Sequence, residues 1–200
     1  MINYFFFITF ILVIFLYALK YNVWFFEQNA LPTTTTIPTT TTPTNTTLPS
    51  FDEIPSKDTE LMNIVNKHRV DNLKLEAIPI NKDAWKVAIT HNWDLSTNNP
   101  SCSLHSWSDQ PGKWTGCCYD LTKPDGNCMW IKPKEITGNT KRGYEISSSG
   151  KQSASNALNM WLGSAPHKAV IENTGMWANR KWSGFGCSVG NNYQCCWFLD

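Results

Sequence analysis

The chain has 200 residues, with 17 Lys and Arg against 16 Asp and Glu, a formal net charge of +1. That balance excludes a strongly basic nucleic-acid binder and a polyacidic tail protein. Aromatics at 13%, with ten Trp, exclude a chain that is disordered throughout.

Residues 1–26 begin with an apolar run. Ile2 to Leu19 contains only Asn3 and Thr9 as clearly polar side chains. As a helix this run would span roughly 27 Å, close to the thickness of a hydrocarbon core. No Lys or Arg precedes it, Lys20 follows it, and Ala18-Leu19-Lys20 is a poor cleavage site. Trp24, Phe25 and Phe26 extend it as an interfacial aromatic belt would. The run reads as an uncleaved membrane anchor or as a cleaved signal peptide.

Residues 27–50 form a Thr/Pro-rich stalk. Pro32 to Pro49 holds eleven Thr and four Pro in eighteen residues. Such a composition buries too little apolar area to offset its ordering entropy, and it matches mucin-like spacers. Asn45-Thr46-Thr47 is an N-glycosylation sequon. The expected location is extracellular, either membrane-anchored or secreted.

Residues 51–200 hold nine of the ten Trp and all seven Cys. A domain of this size buries about 70% of its unfolded surface. Asp58 to Leu73 reads as a helix with Asp58 as N-cap. Asn81 to about Asp94 reads as a second, capped by Asn81, with Trp85, Ala88, Ile89 and Asn92 or Trp93 along one stripe. The segment 95–142 shows no periodicity and carries Cys102, Cys117, Cys118 and Cys128, as a disulfide-pinned excursion would. Tyr144 to Ser147 is a short strand. Ser153 caps a third helix to Leu162, broken by Gly163 and Pro166. Trp182 to Val189 and Tyr193 to Leu199 flank Gly190-Asn191-Asn192 as a hairpin. With an Asn191-Asn192 turn, Cys187 faces Cys196; with a Gly190-Asn191 turn, Gln194 takes that place. Cys187 is expected to bridge Cys195 or Cys196, the other strand cysteine seeking a loop partner. The element order argues α+β.

Of the four His, His68 reads as structural and His91 as an ion-pair partner of Asp94. His105 and His167 fall on constrained loops, where ligands and catalysts concentrate, and imidazole suits divalent metals.

Several segments resemble the CAP superfamily, also called SCP domains. They are Asn66-Lys67-His68-Arg69, Ala88 to Asp94 as Ala-x-x-His-x-x-Asp, Cys102-Ser-Leu-His105-Ser106 and Gly143-Tyr144-Glu145-Ile146. To these add Trp161 to Ile171 and Gly184-Phe-Gly186 with the aromatic strand that follows. The resemblance covers about Glu60 to Leu199. It implies a three-layer αβα sandwich with a central antiparallel sheet. It also implies a cleft in which His105 and His167 hold a metal and Glu145 is the matching acid; the second acid of the animal-type pattern falls near Ser164. Two imidazoles and one carboxylate suit zinc with an open position. An acid beside two imidazoles should raise their pKa values. The expected function is binding of a lipid or protein ligand and a divalent metal. The alternatives are a metal-assisted hydrolase using Glu145 as general base, and a structural surface protein with a vestigial cleft.

Overall fold

A computed structural model describes residues 47–120, 122 and 127–200. The expected anchor, nearly all of the stalk and the Asn45 sequon lie outside the described residues. No helix among the described residues is long and apolar enough to cross a membrane.

The elements in chain order are α1 (Ser56–Lys67), continued by a π-helical turn at His68–Asn72, then α2 (Lys82–Thr97), α3 (Asn127–Trp130), α4 (Lys132–Thr137) and β1 (Gly143–Ser149). There follow α5 (Ala154–Leu162), α6 (Ala165–Glu172), a 3-10 turn at Gly175–Trp177, β2 (Gly184–Val189) and β3 (Tyr193–Leu199). The three strands form an antiparallel sheet in the order β1-β3-β2. The fold is therefore of mixed helix and antiparallel sheet.

The central strand β3 separates two cores by simple alternation. Cys196 and Phe198 face one core, with Leu61 and Val65 of α1, Leu158 and Trp161 of α5, and Ile171 of α6. Cys195, Trp197 and Leu199 face the other, with Ala84, Val87 and Ala88 of α2, and with Trp107 and Trp114 from the long excursion. Both neighbours of β3 obey the same parity. On β1, Tyr144 and Ile146 join the first core, which turns Glu145 and Ser147 toward the side of α2.

Helix α2 lies so close to β2 that only glycine fits between them. A Cβ at Gly186 would fall 2.0 Å from the Trp85 backbone nitrogen. The stretch before α2 covers the outer edge of β2: Phe185 N–H donates to Pro79 O at 2.9 Å and Asn81 N–H to Phe185 O at 2.8 Å. This covers backbone that an edge strand would otherwise leave open. Asn81 then caps α2 as expected, its side chain accepting from the N–H groups of Asp83 and Ala84.

Several expectations are corrected. Asp58 is not an N-cap, since Pro55 occupies that position. Asp58 is instead fully buried and accepts from Trp85 Nε1 and from Val189 N–H, each at 2.8 Å. It thus ties α1, α2 and β2 together. The second helix has no single apolar stripe, because nine of its residues are buried; the excursion covers the side the sheet does not. That excursion contains the helices α3 and α4, too short for a periodic signal. The first hairpin strand begins at Gly184 rather than Trp182.

Three disulfides form: Cys102–Cys118, Cys117–Cys128 and Cys187–Cys196. The first two pin the excursion. The third follows the Asn191-Asn192 register, in which Cys187 lies opposite Cys196. Cys195 has no loop partner and remains a buried free thiol, donating to Ala88 O at 3.1 Å. Its parity explains this: it faces α2, on the opposite side of the sheet from Cys196.

Candidate functional site

Glu145 is the centre of a polar cluster on the α2 side of the sheet. Its side chain is wholly buried. One oxygen, Oε2, meets His105 Nδ1, and the other, Oε1, accepts from the Ser147 hydroxyl two residues along the same strand face. The structure therefore unites His105 and Glu145, 40 residues apart. His167 completes the cleft, its ring centroid 6.0 Å from that of His105. It lies in the first turn of α6 rather than on the expected loop, because the helix restarts at Ala165 directly after the Gly163 break.

The loop carrying His105 is held from several directions. The Cys102–Cys118 bridge closes it. Ser106 Oγ accepts from the N–H groups of Ser103 and Tyr119, each at 3.1 Å. Ser103 Oγ donates to Tyr119 O at 2.7 Å. Trp107 and Cys117 exchange two backbone hydrogen bonds. The His105 ring also packs edge-on against Tyr119. An imidazole held this firmly is preorganised for a ligand.

The electrostatics of the two imidazoles diverge. The Glu145 carboxylate raises the pKa of His105, against the opposing pull of burial. For His167 burial dominates and lowers the pKa, although Glu145 pulls the other way. The expectation that both would rise holds for His105 only. His167 lacks the direct hydrogen bond to Glu145 that stabilises the charged form of His105.

A fourth residue belongs here. His91 on α2 is fully buried, stacked on Trp107 at 4.4 Å between centroids. Its Nε2 lies 3.1 Å from Ser106 O. A carbonyl only accepts, so Nε2 carries the proton. Its Nδ1 lies 3.9 Å from Glu145 Oε1 and has no hydrogen-bond partner among the described residues. Burial lowers its pKa. The expected ion pair with Asp94 is not formed; Asp94 instead accepts from Ser108 N–H at 2.8 Å and Asn98 Nδ2 at 2.6 Å. The missed signal was positional: Ala84, Ala88, His91 and Leu95 share a helical face, and all four are buried. His68, expected to be structural, pairs with Glu172 at 2.9 Å, outside the cleft.

Chemically, the cluster presents two imidazoles with a buried acid behind one of them. With Nδ1 of His105 committed to Glu145, Nε2 is the nitrogen left for a ligand. Both Glu145 oxygens are already engaged, which suits an orienting role better than that of a base reaching for substrate water. Among the described residues, no group of three or more His, Cys, Asp or Glu is placed to hold a metal ion.

No family model matches the chain, and no curated protein matches it. Solved structures do. An outer surface protein of Borrelia burgdorferi aligns over 74% of this chain and 96% of its own length, at 17% identity and a TM-score of 0.51. An extracellular protein of Bacillus anthracis containing an SCP domain aligns over 72% of this chain and 40% of its own, at 18% identity and a TM-score of 0.50. At such identities the likeness concerns the backbone, and it agrees with the resemblance read from the motifs: this chain carries a CAP/SCP-like fold.

Proposed function

We propose that the chain is an extracellular SCP-type binding protein whose cleft takes a divalent metal, zinc among the candidates, between His105 and His167, and a lipid or protein ligand on the same face. The observation that carries the reading is the convergence of His105, Glu145 and His167 on a disulfide-pinned scaffold. Three disulfides favour an oxidising compartment, and the apolar run Ile2 to Leu19 would either anchor the chain at a cell surface or direct its secretion.

The residues fit a metal as a two-histidine site. Zinc sits about 2.0–2.1 Å from each ligating nitrogen, so centroids 6.0 Å apart leave room for one ion to reach both rings. Glu145 would act as the outer carboxylate that fixes the His105 tautomer. Solvent or the ligand would complete the coordination.

Zinc titration of the wild type and of Glu145→Gln tests this reading. An outer-shell acid predicts retained one-to-one binding, weakened by about 10–100-fold. Unchanged affinity in Glu145→Gln, or no saturable binding by the wild type, would count against it. Hydrolysis with Glu145 as general base would instead show turnover that vanishes in Glu145→Gln while zinc stays bound.

A further inference from the structure

A second site lies away from the cleft. A cavity of about 580 Å³ opens between the turn after α1 and the segment leading into β2, and Arg69, Leu75, Ile78, Pro79, Arg180 and Lys181 are among its lining residues. It shares no residue with the His105, Glu145 and His167 cluster.

Arg69 decides its character. The residue is 6% exposed. Its Nε donates to Glu76 O at 3.2 Å, and its Nη1 to Ile171 O and to Asn173 Oδ1, the latter at 2.7 Å. All three acceptors are neutral. Among the described residues no carboxylate pairs with Arg69, and its Nη2 group has no acceptor. A buried guanidinium without a counter-charge is costly, and here it lines a cavity large enough for a small molecule. Asn173 holds the opposite wall in place, donating from Nδ2 to Trp177 O and Arg180 O. Lys181 is exposed and forms no ion pair among the described residues. Arg180 is shared with Asp200 at 3.1 Å. Glu76 also lines the cavity, but its side chain is exposed, and three cations stand against it. The remaining lining is largely apolar, with Leu75, Ala77, Ile78, Pro79, Ala178 and Trp182.

We infer that this cavity binds a small amphiphile whose carboxylate or phosphate head pairs with Arg69 and Lys181 while its apolar body rests on Leu75, Ile78 and Pro79. The guanidinium fork suits either head group, and the apolar lining supplies the rest of the contact.

The test titrates the full chain with hexyl phosphate, hexanoate, inorganic phosphate and uncharged hexanol, following the indole N–H resonance of Trp182, which donates to Val170 O beside the cavity. Saturable shifts are expected with hexyl phosphate or hexanoate, the stronger of the two identifying the head group. Hexanol and inorganic phosphate should each bind about tenfold more weakly, since each lacks half of the recognition. Lys181→Glu, an exposed change that leaves the fold intact, should weaken the charged amphiphile about fivefold or more. Absence of saturable shifts, equal binding of hexanol, equal binding of inorganic phosphate, or indifference to Lys181→Glu would each overturn the inference.

Discussion

Replacing Glu145 by Gln separates electrostatics from shape at the cleft. Gln keeps the size of the side chain; because His105 Nδ1 and Ser147 Oγ meet different carboxylate oxygens, its single amide oxygen accepts from His105 Nδ1 and its NH2 donates to the Ser147 hydroxyl oxygen. What disappears is the charge. The pair is largely shielded, with side-chain exposures of 15% for His105 and 0% for Glu145, so solvent screening is weak. A hydrogen bond to a charged group contributes about 1.5–3 kcal/mol and a neutral one about 0.5–1.5 kcal/mol, so the exchange should cost about 1–1.5 kcal/mol. The pH dependence fixes the sign. His105 has its pKa raised on folding by Glu145. The stabilisation from that shift is fully present below the unfolded-chain value of about 6.5 and is lost as pH rises through the raised folded value. Urea unfolding followed by Trp fluorescence should therefore show the largest wild-type advantage near the acid end of a series from about pH 5.5 to 9, shrinking toward alkaline pH. Nuclear magnetic resonance titration of His105 should place its pKa above about 6.5 in the wild type and lower in Glu145→Gln. A difference in stability that is independent of pH, or one that grows with pH, would refute the reasoning.

Other perturbations test the scaffold. Gly186→Ala places a Cβ on the α2 backbone, which cannot move as a side-chain tip can; a loss of about 3 kcal/mol or more is expected by chemical denaturation. Asp58→Ala strands the buried donors Trp85 Nε1 and Val189 N–H, at about 1–3 kcal/mol each, readable as a lowered Tm. Burial holds the Cys195 thiol well above its usual pKa, so a thiol reagent should find no reactive group in the native protein and the buried Cys195 after unfolding without reductant. Replacing both Cys187 and Cys196 with Ser removes a bridge across 9 residues of sequence and should cost about 2.5 kcal/mol by the loop-entropy relation.

Much of the architecture was legible in local patterns. Asn81 and Ser153 announced the starts of α2 and α5 because capping is a short-range chemical rule. The local bridge from Cys187 was legible, but its partner was left open between Cys195 and Cys196; the Asn191-Asn192 turn selects Cys196, since antiparallel pairing converts one turn choice into every opposite pair. The His105, Glu145 and His167 grouping was readable only through motif order, as 40 residues separate the first two and no local rule links them. His91 was misread because its neighbour in sequence, Asp94, was given more weight than its position on the buried face of α2. Asp58 was misread for the related reason that a short acid at a helix start looks like a cap, whereas its partners, Trp85 and Val189, come from distant elements. The lowered pKa of His167 arises from burial that only tertiary packing creates.

The most direct measurement of the cleft's role is a zinc binding isotherm for the full chain, compared with His167→Ala. The expected result is saturable one-to-one binding that weakens as pH falls, because protons compete for His105 at a raised pKa, and that is lost in His167→Ala. Zinc binding of equal strength in His167→Ala, or none in the wild type, would contradict a shared site between His105 and His167.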